Sequence, residues 1–490
     1  MKLYLKGHAE LYAVEQLHMQ LFPNEQAEPA YGPFEGDGTV SALSRGKTWL
    51  TATATVTYKG KTARAVKRLR VVDEDVRLRR QILQQSFFLA ATKVLGTTPP
   101  WGALAGVRPT KLSTQARLAG SSKKEAQKLL EQVYFVTPGR AKLAADCSEH
   151  TIETISKLRE KDLSLYIGIP FCPTRCAYCS FVSQSIEKFG KFLPPYLEAL
   201  EKEIIYTGKL LREHGWTVRT LYMGGGTPTT LSTPQMERLL RVIRENIDLS
   251  QCLEFTVEGG RPDTLDAEKL RVIREGGADR MSINPQTMSD DVLRRIGRSH
   301  STAQTLQAYG DAVTAGFTDI NMDLIAGLPG DTVDSFLASV RSVIDLAPSN
   351  ITVHTLALKK SAELWNSRGD LPAGDDVAKM LAETENALRE AGYEPYYLYR
   401  QKYMSGSFEN VGWCRPGHTN YYNICMMEEL HTILSLGGGG MNKVNLGQNK
   451  LERYHNPKIP QDYTARIDTI LQQKDEIFQI LDTLSSEASV

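Results

Sequence analysis

Cys172, Cys176 and Cys179 fall in one turn-rich loop, inside Tyr166-Ile-Gly-Ile-Pro-Phe-Cys-Pro-Thr-Arg-Cys-Ala-Tyr-Cys-Ser-Phe181, directly after an apolar run from Leu163 to Ile169. Three residues separate the first two thiols and two separate the last pair. A loop this tight can wrap three corners of a small cluster. Iron–sulfur clusters ordinarily take four cysteine thiolates, so three would leave one iron open to a ligand other than protein. Two alternatives stand beside this reading. A closed zinc site wants four ligands, and with no histidine in or beside the loop its fourth would have to come from far away. Plain core thiols are the other alternative, but three so close together in a polar loop argue against it.

The elements that must position this loop begin with Leu163–Ile169. From there apolar runs alternate with amphipathic ones: Thr220–Met223, Glu254–Glu258, Arg280–Asn284, Asp319–Leu324 and Asn350–Leu358 each precede a helical pattern. Such alternation predicts parallel strands with crossover helices, and in parallel α/β barrels the chemistry gathers at the C-terminal strand ends. Several chemically capable residues fall there. Gly224-Gly225-Gly226-Thr227 follows the second strand, and glycine lets backbone N–H groups approach a ligand closely. Glu258 ends the third strand; a lone carboxylate is most often a solvated surface group. Gln286 follows the fourth. Arg298 carries a fork suited to a carboxylate, with a surface ion pair as its plain alternative. Asp323 lies within an apolar strand, where it is costly unless paired.

With these residues in view, the chain resembles the radical S-adenosylmethionine (SAM) superfamily. The Cys-x3-Cys-x2-Cys spacing with Tyr178 before the last cysteine is similar to its signature. The flanking Tyr-Ile-Gly-Ile-Pro-Phe resembles the oxygen-independent coproporphyrinogen III oxidase group, which includes HemW-type haem chaperones and HemZ-type coproporphyrinogen dehydrogenases. The resemblance implies an α/β fold, a partial (β/α)6 barrel. It implies a [4Fe–4S] cluster on Cys172, Cys176 and Cys179, with SAM on the open iron. It implies SAM contacts from Tyr166, Tyr178, Gly225, Gly226, Thr227, Glu258, Gln286, Arg298, Asp323 and Ala357, the last beside Leu356 at the end of the sixth strand. It implies a flavodoxin or ferredoxin electron donor, and a 5′-deoxyadenosyl radical that starts the oxidative decarboxylation of coproporphyrinogen III propionates to vinyls, giving protoporphyrinogen IX. A haem chaperone and a haem ring-opening methyltransferase are the alternatives. Phe181 stands where the dehydrogenases of this group carry a fourth cysteine.

Around the barrel, residues 1–160 read as a separate α+β domain, 161–392 as the barrel, and 393–490 as an α+β extension on the substrate side. In the first, Thr48–Val56 alternates as a half-buried strand, Lys59-Gly60 reads as a turn and Lys61–Val72 as its hairpin partner. Leu78–Leu95 is helical and Pro99-Pro100 ends it. Gly106–Lys111 reads as a helix-entry turn. A long N-terminal region of this kind resembles the HemZ type. In the extension, Tyr393, Tyr396, Tyr397, Tyr399, Tyr403, Phe408 and Trp413 form either a strand pair or a wall for a flat tetrapyrrole. Arg400, Lys402 and Lys443 are candidates for its carboxylates. Leu434–Met441 resembles the group's glycine-rich stretch near substrate. Cys147, Cys252, Cys414 and Cys425 read as core thiols and His418 as a surface residue; Val444–Val490 reads as a helical tail. The chain of 490 residues has 41% hydrophobic and 23% charged residues and a net charge of +1. That total gives no bulk attraction to nucleic acid, no apolar run reaches bilayer length, and the N-terminus lacks a signal-peptide core. A cytoplasmic location is the expectation.

Overall fold

The computed structural model describes every residue except 24, 105, 107, 182, 358–361, 367–370, 401–407, 448–449 and 489–490. Its contacts divide the chain into two units, Met1–Ala145 with Arg400 and Phe408, and the remainder from Asp146. These edges differ from boundaries at 160 and 392. Helix α5 (Pro138–Lys157) spans the edge at 145, and the strands beyond 392 bond to the barrel's own sheet.

The first unit contains β1 (Lys2–Lys6), α1 (Leu11–Leu21), β2 (Glu28–Ala30), β3 (Gly38–Arg45), β4 (Trp49–Tyr58), β5 (Lys61–Arg70), α2 (Val76–Leu95), α3 (Pro109–Leu118), α4 (Lys123–Tyr134) and the start of α5 (Pro138–Lys157). Its strands lie in the order β2-β1-β3-β4-β5. The period-two run is β4: Leu50, Ala52, Ala54 and Val56 are buried while the threonines between them face the other side. The buried set packs with Leu3, Val14, Leu17, Leu83 and Phe87 beneath α1 and α2. Lys59 and Gly60 both have positive φ, 48° and 76°, the two-residue hairpin geometry that follows strand twist. Helix α2 does end at Leu95, but Gly96 ends it, as a left-handed cap at φ 71° ahead of the prolines. Of Gly106–Lys111, Val107 lies outside the described residues, and Arg108 stands at the entry of α3 with Pro109 in its first turn.

The second unit follows with β6 (Asp162–Ile169), β7 (Phe171–Cys172), β8 (Gln184–Ser185), α6 (Ile186–Phe189), α7 (Leu193–His214), β9 (Thr217–Gly225), α8 (Thr233–Asn246), β10 (Glu254–Glu258), α9 (Ala267–Glu275), β11 (Arg280–Ser282), α10 (Asp290–Arg295) and α11 (Thr302–Thr314). Then come β12 (Asp319–Ala326), α12 (Val333–Leu346), β13 (Asn350–Thr355), α13 (Gly374–Glu390), β14 (Glu394–Arg400), β15 (Glu409–Cys414), α14 (Tyr421–Glu428), β16 (Ile433–Leu436), β17 (Met441–Asn445), β18 (Leu451–His455), α15 (Pro460–Ala465) and α16 (Ile467–Ala488). β6, β9, β10, β11, β12 and β13 are parallel neighbours in chain order, the partial (β/α)6 barrel. β16 adds a parallel strand beside β6 and β15 an antiparallel one beside β13. Strand β6 is buried at seven of its eight positions, as a strand covered on both faces must be. Helix α8 is capped by Ser232, in a capping box with Gln235. One detail differs from the sequence pattern. The tail after Val444 first completes an antiparallel hairpin, β17 with β18, before its helices.

Candidate active site

The cysteine loop is stapled from several sides. Gly226 N donates to Ile169 O (2.8 Å), Thr227 N to Phe171 O (2.7 Å), Gln184 N to Pro170 O (2.9 Å) and Ala177 N to Ile296 O (3.1 Å). A Cβ on Gly226 would lie 2.4 Å from Phe171 O, and Gly225 sits at φ 116°. These glycines therefore serve first the close approach of the chain to itself. The Thr227 hydroxyl donates to Cys172 Sγ at 3.5 Å. Arg261, which the sequence pattern did not single out, is the tightest staple. It is buried, forks onto both oxygens of Asp263 (3.0 and 2.8 Å), and reaches Thr174 Oγ1 (2.7 Å) and Ser299 Oγ (3.0 Å). Its one signal in the sequence is its place three residues after Glu258, in Gly-Gly-Arg-Pro.

Cys176 is buried, Cys172 and Cys179 half-buried. Burial pushes the thiols of Cys172 and Cys179 up. Among the described residues no three Cys, His, Asp or Glu side chains converge as ligands of one ion do. The thiols occupy one loop without meeting at a point.

Across the C-terminal strand ends Gly168 pairs with Gly224, Glu258 with Ser282 and Ser282 with Asn321. A Cβ on Gly224 would lie 2.8 Å from Glu258 Oε2, so glycine there leaves the carboxylate its space. Withdrawal from water, and then the charge of Asp323, push Glu258 up to about 7. Burial also pushes Asp323 up, but hydrogen bonds with His354, Asn321 and Thr352 more than offset this and hold it below its usual value. Asn321 Nδ2 stands 2.7 Å and His354 Nε2 3.6 Å from its oxygens. Gln286 is held at φ 69°, a region disfavoured for non-glycine residues. Its N–H donates to Asp323 O and its carbonyl accepts from Ile325 N, both at 2.9 Å. Arg298 is buried, donating to Gly260 O (3.0 Å), Asn284 O (2.8 Å) and the Tyr178 hydroxyl (3.1 Å). Its Nε is buried with no hydrogen-bond partner among the described residues. Tyr178 also packs with Leu293, Ile296 and Leu356, and Leu356 N donates to Ala326 O (2.9 Å) next to Ala357.

One row below, Tyr166 pairs with Tyr222. Their rings stack at 6.2 Å between centroids, and Tyr422 stacks on Tyr222 at 4.7 Å. Tyr422 is set there by Glu254, whose carboxylate accepts from the backbone N–H groups of Tyr421 and Tyr422 at the start of α14. Tyr222 and Tyr422 are floor residues that no sequence motif marked; Tyr222 stood two positions before the glycines.

Residues 166–343 match the radical SAM superfamily. The chain is 38% identical over 385 residues, 77% of each chain, to the oxygen-independent coproporphyrinogen-III oxidase-like protein HemZ of Bacillus subtilis. It is 34% identical over 48% of its length to the haem chaperone HemW of the same organism, covering 62% of that protein. The solved coproporphyrinogen III oxidase HemN of Escherichia coli superposes with a TM-score of 0.52 at 25% identity, over 65% of this chain and 72% of that one. The chain belongs to the radical SAM superfamily, in the HemZ-type group. A [4Fe–4S] cluster and SAM are the cofactors of this superfamily and of this chain. The residues fit them. Three thiols share one loop, two of them half open to solvent, Arg298 offers a buried donor in need of an acceptor, and Glu258 is a carboxylate held out of water at the strand ends.

Other candidates lie elsewhere. Arg400 is buried with its guanidinium on Leu104 O (2.5 Å) and Gly106 O (3.4 Å) in the first unit. Lys443 is buried on Met426. Both are occupied by the chain's own carbonyls and sulfur, which corrects the expectation that they meet propionates. Lys402 and Tyr403 lie outside the described residues. Tyr396 and Tyr397 are buried along strand β14 and Tyr393 just before it, the strand-pair alternative. Cys147, Cys414 and Cys425 are fully buried and free, while Cys252 is half-buried. His418 pairs with Asp319 at 2.9 Å. Among the described residues no helix is long and apolar enough to cross a membrane.

Proposed function

We propose that this chain carries out oxygen-independent oxidative decarboxylation of coproporphyrinogen III propionates to vinyl groups. The observation that carries the reading is the extent of likeness to HemZ, 77% of both chains at 38% identity, against 48% of this chain for the Bacillus HemW. Cys172, Cys176 and Cys179 hold the cluster as thiolates. Since burial keeps two of these thiols protonated, cluster assembly releases protons and weakens in acid. The bound cluster and SAM supply one-electron chemistry at an unactivated C–H bond. Glu258 takes the SAM ammonium, Arg298 Nε its carboxylate and Asp323 its ribose hydroxyls. The turn Gly225-Gly226-Thr227, the strained Gln286 backbone, Tyr166, Tyr178 and Ala357 shape the pocket around them. Walls of tyrosine and buried backbone exclude water, which protects reactive species. A small acidic donor of the flavodoxin or ferredoxin type supplies the electron at the half-open loop.

Anaerobic incubation of the reconstituted chain with coproporphyrinogen III, SAM, a reductant to start the reaction and an added one-electron acceptor for the electron released with each CO2 tests this. Mass spectrometry should find the divinyl product, with CO2 and 5′-deoxyadenosine. A second reading, haem chaperoning, is favoured by one observation: Phe181, 69% exposed, stands in place of a fourth cysteine. It expects stable haem binding and no CO2, and that result would displace the oxidase reading.

A further inference from the structure

Residues 1–145 contain 22 lysines and arginines against 11 aspartates and glutamates, a net of +11, while the other 345 residues carry −10. The total of +1 conceals this segregation. Part of the excess lies on one surface. Helices α1 and α2 pack on one face of the five-stranded sheet, and Phe34 covers Tyr4 of β1 on the other. On that second face, β4 and β5 pair so that Thr51 faces Arg68, Thr55 faces Arg64 and Trp49 faces Arg70. Paired residues share a face, so Thr51, Thr53 and Thr55 run beside Arg68, Val66 and Arg64, with an exposed valine between the two guanidinium groups. Arg64, Arg68 and Arg70 are exposed, as is Trp49 at 42%. The Arg70 guanidinium lies 5.8 Å from the Trp49 ring centroid. Neither strand carries an acidic residue. Among the described residues Arg64 and Arg68 make no ion pair, and acidic counter-charges that would mark an ordinary solvated face are missing from these two strands.

We propose that this open sheet face binds single-stranded RNA. A flat sheet cannot enter a duplex groove as a helix does, but it can carry a splayed strand. Arginines neutralise the phosphates, Trp49 offers a stacking surface for a base, and threonine hydroxyls can pair with 2′-OH groups, which single out RNA. An acidic protein would also meet the charge, and competition by an acidic polypeptide separates the two. The proposal is independent of the barrel's reaction and reverses, for this unit, the expectation drawn from whole-chain charge.

The test uses the full-length chain and fluorescence anisotropy of a labelled oligouridylate of about 20 nucleotides, a length that exceeds one such binding face. Binding should weaken with salt, with a log–log slope near −2 for about three phosphates. The double variant Arg64→Glu/Arg68→Glu should lose at least tenfold in affinity at low salt and flatten the slope by about 1.4. Its circular dichroism and iron content should not change. Trp49→Ala should lose affinity without changing the slope. The control Lys124→Glu/Lys128→Glu makes the same charge change on α4, away from the sheet, and should stay within twofold of wild type. Four outcomes would each overturn the proposal: no binding at low salt, equal loss in the α4 control, equal affinity for duplex DNA, or displacement of the RNA by less poly-L-glutamate than the RNA itself. The last would assign the face to an acidic protein.

Discussion

Glu258 and Asp323 face one problem with opposite outcomes. Both are withdrawn from water near each other, yet Asp323 has His354, Asn321 and Thr352 to hold its charge, while Glu258 moves up to about 7. An acid raised from 4.5 to about 7 favours the folded state fully below 4.5, and that advantage is lost as pH rises through 7. The shift corresponds to roughly 3 kcal/mol of strain at pH 8. Glu258→Gln removes the strain and, on the proposed role, the partner of the SAM ammonium. At pH 8 the variant without SAM should therefore be more stable than wild type by about 2–3 kcal/mol, yet bind SAM at least tenfold more weakly. Wild-type SAM affinity should rise from pH 6 to 8 and that of the variant should not. Denaturant melts and calorimetry on the reconstituted protein check both, and unchanged SAM affinity in the variant would remove Glu258 from the pocket. The sequence could place Glu258 at a strand end, but its environment comes from burial and then from the charge of Asp323 two strands away, and no local pattern carries either. Arg298 shows the same limit: its residue type suited a carboxylate, yet two of its nitrogens proved to serve backbone carbonyls and Tyr178.

The barrel elements were legible because each leaves a local trace: an apolar run for a parallel strand, a cap and an amphipathic stretch for the helix behind it. The staples of the cysteine loop leave none, since Arg261 and Thr174 are 87 positions apart. Arg261 joins the exit of β10 to the loop, and its double hydrogen bond to Asp263 fixes the guanidinium plane. Arg261→Ala would leave Asp263 half-buried without its partner and free the loop at Thr174, at a cost of about 2–4 kcal/mol. The expected result is a lower melting temperature and less iron per chain after anaerobic reconstitution. Arg261→Lys should recover less than half of either, because an ammonium cannot fork. A Lys variant equal to wild type would show that charge alone suffices. The β9 exit makes a second test of the same element. Gly226→Ala puts a methyl 2.4 Å from Phe171 O, and backbone on both sides leaves no flexible atom to yield. Iron incorporation in this variant should fall well below that of Gly439→Ala, where a Cβ meets nothing within 4 Å and the strain is that of positive φ alone.

At the scale of the whole molecule, two facts escaped the sequence for opposite reasons. Segregated charge vanished into a sum, and the C-terminal helix looked like an ordinary tail. Lys474 on α16 reads as one more solvated lysine, yet it is fully buried. Its ammonium donates to Ser435 O (2.7 Å) and Asn442 Oδ1 (2.8 Å) and stands 3.2 Å from Glu203 of α7. Glu203 in turn accepts from Gly437 N (2.8 Å) and the Tyr463 hydroxyl (2.5 Å). The Tyr196 hydroxyl, on the same helix as Glu203, donates to Gly168 O and accepts from Gly438 N. The last helix thus holds the glycine-rich stretch against the strand that leads into the cysteine loop. A buried ion pair adds little over an apolar pair of equal volume, but breaking one partner strands a charge at about 3–5 kcal/mol. Lys474→Met should therefore lower the denaturant midpoint for loss of cluster absorbance, and the double variant Glu203→Gln/Lys474→Met should recover at least half of that loss. A midpoint unmoved in Lys474→Met would show that the pair only fills space. If the double variant were no better than the single, the carbonyls of Ser435 and Asn442, rather than the charge of Glu203, would be what Lys474 is there to satisfy.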